Sequence, residues 1–109
     1  MRILVVNVNT TAAVTDAIAA KAAAVALPGT EIVGVTPRFG AESTEGNVES
    51  HLSAVGVLDA VLRYLRAVIQ AGFGEHGREA LQEALVVPVV DITDAAASTA
   101  MFLGAATGW

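Results

Sequence analysis

The 109-residue chain contains no cysteine, which removes disulfides, thiolate metal sites and thiol catalysis together. Basic residues are also scarce. Six Lys and Arg stand against eleven Asp and Glu, for a net charge of −5, and their scatter argues against nucleic acid, whose phosphates need clustered cations. No apolar run reaches the 18 residues of a spanning helix, no basic amphipathic helix is present, and the N-terminus lacks a basic segment leading into a long apolar stretch and a small-residue cleavage site. A cytoplasmic protein without membrane or nucleic-acid partners is the expectation. Dinucleotide, Walker-type and Gly-x-Ser-x-Gly loops are missing, as is any His/Cys metal spacing. Asn7 stands where a phosphoacceptor receiver domain would carry its acidic pair.

Apolar residues make up 54% of the chain and charged ones 16%, with a mean hydropathy of +0.61. Such a composition excludes disorder and favours a sheet buried on both faces. The length suffices for one domain with one core. Much of the apolar fraction is alanine, so helices should pack close to their neighbours.

Residues 2 to 6 read as a buried strand, and about 11 to 26 as a helix with Val14, Ile18, Ala22 and Val25 on one side. Pro28 and Gly29 stop it. Glu31 to Thr36 reads as a second strand and Pro37 to Ser53 as a long loop, carrying Arg38, Phe39, Gly40, Ser43, Glu45, Gly46, Asn47 and His51. Leu58, Val61, Leu62 and Leu65 give the next helix its buried stripe. Ala67 to Ala71 could prolong that helix or form a third strand; the abrupt close at Gly72, Phe73 and Gly74 favours the strand. Glu75 to Leu85 predicts a short helix with Leu81, Ala84 and Leu85 inward. Val86 to Ile92 predicts a fourth strand, and Thr93 or Asp94 can cap a last helix through about Leu103. The alternation implies an α/β class: a single-domain, open, parallel four-stranded sheet with helices on both faces.

Ligands of such sheets sit beyond the carboxyl ends of the strands. That edge gathers Asn7, Asn9, Thr10 and Thr11, then Pro37 to Gly40, Gly72 to His76, and Asp91 to Asp94. Asn and Thr offer neutral donors and acceptors, and the helix start beyond them favours an anion such as a carboxylate. Gly72-Phe73-Gly74 lets backbone approach a ligand, although two glycines also simply make a turn. His76 has the pKa for proton transfer near neutrality, yet a solvated histidine at a helix start is the commoner case, and His51 is weaker still. Glu75, Asp91 and Asp94 have structural reasons to be acidic at helix starts. Arg38 could clamp a carboxylate in bidentate fashion; most arginines in such loops are solvated.

Taken together, Ile-Leu-Val-Val-Asn-Val-Asn-Thr-Thr (3 to 11), Val-Thr-Pro-Arg-Phe-Gly-Ala-Glu-Ser-Thr-Glu-Gly (35 to 46), Phe-Gly-Glu-His-Gly (73 to 77) and Val-Pro-Val-Val-Asp-Ile-Thr-Asp-Ala-Ala (87 to 96) resemble the Asp/Glu/hydantoin racemase superfamily, nearest its hydantoin and allantoin racemase branch. The likeness runs from residue 1 to about 104, with 105–109 left as a short tail. It implies a flavodoxin-like half of a two-domain fold, with the site between pseudo-symmetric halves. It also implies racemisation of a carbon acid by two opposed thiols, without metal or nucleotide cofactor. Substrate-binding positions carried over are Asn7, Asn9, Thr10, Phe73 and Gly74, with Phe39 beside them on the second strand-end loop; the substrate would be a small carboxylate or hydantoin-like molecule.

Three departures matter. Gly72 occupies the position of the first family cysteine, the half bearing the second is not in these residues, and Val8 replaces a usual proline. No catalytic residue is therefore assigned, and a truncated, inactive domain is the expectation. Self-association is expected through Phe39 and Phe73, or pairing with a complementary second half. The rival readings are a non-enzymatic α/β binding or assembly module and a part of an arylmalonate decarboxylase-like enzyme, whose branch also lacks the first thiol. Flavodoxin-like nucleotide binding is disfavoured by the missing phosphate loop.

Overall fold

The apolar run after Met1 forms a strand at the centre of a parallel sheet, and the rest of the chain is wound around it. The structure, a computed structural model, describes residues 1–64, 67–71 and 77–107. Its elements are β1 (Arg2–Asn7), α1 (Ala12–Val25), β2 (Glu31–Val35), α2 (Asn47–Leu62), β3 (Ala67–Ala71), α3 (Arg78–Ala84), β4 (Val89–Asp91) and α4 (Ile92–Thr107). The strand order is β2-β1-β3-β4. All pairs are parallel, with Val6 opposite Val35 and Gln70, and Gln70 opposite Asp91. From β1 the chain goes to one side for β2 and to the other for β3, so the carboxyl ends of β1 and β3 flank the switch point where open α/β sheets hold ligands.

Alternation along β1 divides its side chains. Leu4 and Val6 join the core cluster with Val35, Val57, Ala60, Val61, Leu81 and Leu85, drawn from β2, α2 and the α3 segment. On the other side Asn7 reaches Thr15 of α1. At Gly34 of β2, a Cβ would lie 3.0 Å from the Ala19 Cβ and 3.1 Å from the Thr15 Cγ2. A bare backbone there lets the alanine-rich α1 settle onto the strands. Gly29, at φ 85°, turns the chain after Leu27 and Pro28, in the left-handed region that glycine enters without penalty.

Several sequence expectations need correction. Val14 and Val25 are exposed, and Thr15 is the buried residue of α1. The loop after β2 ends at Gly46 rather than Ser53, because α2 buries Ser53, Gly56, Val57, Ala60 and Val61. The first half of that face is serine and glycine, so it carries no hydrophobic periodicity to read. Leu62 is exposed and Leu58 half-buried, a rotation of the helix away from the anticipated stripe. Ala84 is exposed while Leu81 and Leu85 are buried. The strand expected over Val86 to Ile92 shrinks to Val89–Asp91, and α4 follows at once and runs beyond Leu103 to Thr107. The cap of α4 is Asp91, whose Oδ1 accepts the Asp94 N–H at 2.8 Å, rather than Thr93 or Asp94. Leu65 lies outside the described residues. No helix among the described residues is long and apolar enough to cross a membrane.

Candidate functional site

The loop leaving β1 is shaped by Asn7, whose side chain is 1% exposed. Its Nδ2 donates toward Asn9 Oδ1 at 2.8 Å, Thr15 Oγ1 at 3.1 Å and the Thr11 carbonyl at 3.2 Å. Its Oδ1 accepts the Asn9 N–H at 3.1 Å. Two amide hydrogens shared over three acceptors leave Asn7 facing its own loop. Asn9 completes the turn by accepting the Thr11 N–H at 3.0 Å, the local side-chain bonding that favours asparagine in turns. Thr15 bonds Thr36 Oγ1 at 2.7 Å, tying α1 to the end of β2.

The polarity of Asn7 is therefore structural at its Nδ2. Asn7→Asp is expected to destabilise the chain by about 2 kcal/mol, because the new carboxylate oxygen would face the Asn9 amide oxygen and the Thr11 carbonyl, neither of which can donate. The urea midpoint at pH 7 checks this, and a midpoint equal to the wild type's would refute it.

The other groups of the loop are less occupied. Among the described residues neither Asn9 Nδ2 nor the Thr10 hydroxyl has a hydrogen-bond partner, and both residues are half-buried. Thr11, the residue before α1, makes no side-chain cap bond; its hydroxyl donates instead to the Glu42 carbonyl at 3.2 Å. The Thr10 N–H donates to the Ala41 carbonyl at 3.1 Å. The 36–46 loop is thus laced to the β1–α1 loop, with Gly40 at φ 126° making the bend. Below it, Thr44 Oγ1 bonds the buried Ser53 hydroxyl at 2.8 Å. Phe39, beside the bend, is 46% exposed.

The charged candidates resolve into ion pairs. Arg38 donates from Nε to Asp59 Oδ2 at 3.2 Å and from Nη2 to Oδ1 at 3.0 Å, so its fork is taken by a carboxylate of the chain itself. Hydrogen bonds from Arg38 hold the Asp59 carboxyl below the usual carboxylate range against partial desolvation, and Arg63 adds to the effect. Arg78 pairs with Asp91 and Asp94. His51 is exposed on α2. Among the described residues no group of His, Asp or Glu could hold a metal ion. Phe73, Gly74, Gly72, Glu75 and His76 lie outside the described residues.

Asn7, Asn9, Thr10 and the loop bearing Phe39 are therefore brought to one edge. Sequence reasoning missed Thr15, Thr36, Ser53 and Arg78. Thr15 was findable, being a lone hydroxyl four residues beyond Thr11 on an otherwise alanine-rich turn. The pairing of Arg78 with Asp91 was not, because it depends on the start of α3 lying beside the end of β4.

An open parallel α/β domain with a polar, largely uncharged β1 loop at its switch point has the layout in which such sheets hold ligands. The chain belongs to the Asp/Glu/hydantoin racemase family, whose sequence model matches residues 3–108. It is 34% identical to the hydantoin racemase of Paenarthrobacter aurescens over 96% of the chain and 47% of that protein. The hydantoin racemase of Pseudomonas sp. strain NS671 is likewise 34% identical, with 96% of the chain and 44% of that protein covered. Among solved structures, the allantoin racemase of Pseudomonas fluorescens superposes with a TM-score of 0.90 at 71% identity, over 94% of this chain and 45% of that one. The allantoin racemase of Klebsiella pneumoniae gives a TM-score of 0.86 at 40% identity, over 94% and 43%. The chain thus spans about half the length of the relatives it matches.

Proposed function

We propose that these residues form one wall of a racemase-type site for an allantoin- or hydantoin-like small molecule, on a flavodoxin-like half whose sheet carries helices on both faces. Asn9 and Thr10 bind the polar edge of the substrate, Asn7 fixes the loop that presents them, and Phe39, Phe73 and Gly74 close around it. The observation that carries the reading is the pair of half-buried donors, Asn9 Nδ2 and the Thr10 hydroxyl, without partners among the described residues at the carboxyl edge of β1. Neutral donors suit the imide and urea carbonyls of a hydantoin ring. The names of the relatives support the same substrate class. The reaction is cofactor-independent proton transfer at a carbon acid, in a cytoplasmic protein.

With no thiol in these 109 residues, they bind without turning over. Neither loss of optical rotation from (S)-allantoin nor from a chiral 5-substituted hydantoin is expected to exceed the uncatalysed rate. Gly72→Cys alone should leave that rate unchanged, because two-base racemisation needs a second proton carrier on the opposite face. Allantoin should still perturb the amide resonances of Asn9 and Thr10 in a titration, and Asn9→Ala should weaken that binding about tenfold, the loss of one or two well-made hydrogen bonds. Enzyme-dependent racemisation would overturn the inactivity. Saturating shifts confined to residues away from the β1 loop would overturn the site.

A further inference from the structure

Ser53, Gly56 and Asp59 stand three residues apart in α2, so they neighbour one another on the helix surface, and each holds a different point of the 36–46 loop. Ser53 Oγ is hydrogen-bonded to Thr44 Oγ1 at 2.8 Å. Gly56 leaves room for the Phe39 carbonyl, and Gly40 lies over the backbone of Leu52 and Ser53, where a Cβ would be 3.5 Å from the Leu52 carbonyl oxygen. Asp59 takes both Nε and Nη2 of Arg38. The loop thus runs antiparallel along α2 while its Ala41 and Glu42 carbonyls accept the Thr10 N–H and the Thr11 hydroxyl. The place of Thr10 is set through α2.

We propose that Asp59 is a positioning residue for the β1 loop: its grip on Arg38 holds the 36–46 loop where the Ala41 and Glu42 carbonyls fix Thr10 and Thr11. Of the three fastenings, those at Ser53 and Gly56 are buried in α2. The Arg38–Asp59 pair is the outer one, with side chains 60% and 26% exposed, and the only one of the three that dissolved salt can weaken. Its two-point geometry fixes direction as well as distance, and Arg38 directly precedes Phe39, so the pair sets where that ring enters the wall of the site. Arg63, one turn further along α2, shares Asp59 Oδ1 at 3.4 Å. Removing the carboxylate charge would therefore leave two guanidinium groups facing each other and push Arg38 away from the helix. Asp59 acts through Arg38 and the loop backbone rather than on a ligand. Its effect on affinity rests on the hydantoin-like site proposed above, whereas its effect on Thr10 does not.

Hydrogen exchange at the Thr10 amide of the ligand-free chain tests the link. Asp59→Asn should speed that exchange about threefold, the range of a well-oriented ion pair near a surface. The control is Glu31→Gln, which breaks the exposed Arg2–Glu31 pair at the amino edge of the sheet, weakens the fold to a like extent and should leave Thr10 unchanged. Sodium chloride at about 1 M, where charges are screened within about 3 Å, should bring the wild type toward the Asp59→Asn rate and leave Asp59→Asn itself where it was. In an allantoin titration, Kd should rise about threefold for Asp59→Asn and stay at the wild-type value for Glu31→Gln. Equal Thr10 exchange in wild type and Asp59→Asn would overturn the proposal, and so would equal acceleration by the two substitutions, which would mark a general loss of stability. If the exchange responds as expected but the wild type binds no allantoin, the substrate reading fails and the positioning role stands. If the wild type binds and Asp59→Asn binds equally well, the link stops short of the ligand and the proposal fails.

Discussion

Gly56→Ala is expected to destabilise the chain by about 2–3 kcal/mol, a cost in the range of core overpacking. A Cβ at Gly56 would lie 2.3 Å from the Phe39 carbonyl oxygen, with Pro37 Cβ at 3.3 Å. The obstructing atom is backbone, and Gly56 is itself in the fully buried face of α2, so neither side can yield by rotating a side chain. Alanine gains up to about 1 kcal/mol of helix propensity over glycine, which is too little to offset a contact so far inside van der Waals distance. The displaced loop is the one whose Ala41 and Glu42 carbonyls accept the Thr10 N–H and the Thr11 hydroxyl. The same substitution should therefore shift the amide resonances of Thr10 and Thr11, far from the new methyl group in sequence. Gly46→Ala is the control. Its Cβ would come within 2.8 Å of Glu49 Oε2, the free end of a flexible side chain, and its φ of −134° is ordinary for any residue. A urea midpoint for Gly56→Ala equal to that of Gly46→Ala would show that the loop does not rest on α2 as described.

Gly56 also shows why part of the fold was legible and part was not. The strand at residues 2 to 6 and the helix that stops before Pro28-Gly29 announce themselves by an apolar run and a chain-breaking pair, signals that act within a few residues, and the Gly72-Phe73-Gly74 close tips the otherwise ambiguous Ala67 to Ala71 toward the strand it forms. The stretch of α2 up to Gly56 does not. Its inward positions are Ser53 and Gly56, chosen because Thr44 needs a hydroxyl partner there and Phe39 needs room, and both reasons come from another element. The same holds for Thr15, buried in place of the apolar Val14 because Asn7 and Thr36 meet it from two strands.

The site divides along the same line. Asn7, Asn9 and Thr10 could be placed at the strand end from the sequence because the position of a strand's carboxyl edge follows from its topology. What the sequence could not distribute is the work among them. Asn7 and Asn9 are the same residue type two positions apart. Their difference lies in burial, which leaves Asn7 bonded within the loop and Asn9 Nδ2 without a partner among the described residues. Arg38 makes the complementary point. Its bidentate geometry was foreseeable from guanidinium chemistry, but that its carboxylate would be Asp59 followed only from α2 beginning at Asn47.

Asp91 carries the largest electrostatic consequence. It is 1% exposed, ends β4, caps α4 by accepting the Asp94 N–H, and pairs with Arg78 at the start of α3. Asp91→Ala removes a helix cap and one side of a buried ion pair together, and is expected to cost about 3–4 kcal/mol. Asp91→Asn keeps an acceptor for the cap and loses only the charge, so its cost should be about half as large. Burial is the strongest single influence on the Asp91 carboxyl and raises its pKa, but the Asp94 N–H, the Arg78 guanidinium and the Thr93 N–H together outweigh it and leave the value below that of a free aspartate. A carboxyl with a lowered pKa in the folded state contributes stability above its unfolded pKa of about 3.9 and loses it as the pH falls through the folded value. Asparagine has no such titration, and Asp59, which also has a lowered pKa, is common to both proteins. The stability gap between wild type and Asp91→Asn should therefore be widest near pH 7 and narrow progressively below about pH 4. Paired urea titrations at pH 7 and pH 3 measure that gap directly. If it is the same at both, the Asp91 carboxylate is not the charged partner that holds α3 to the start of α4.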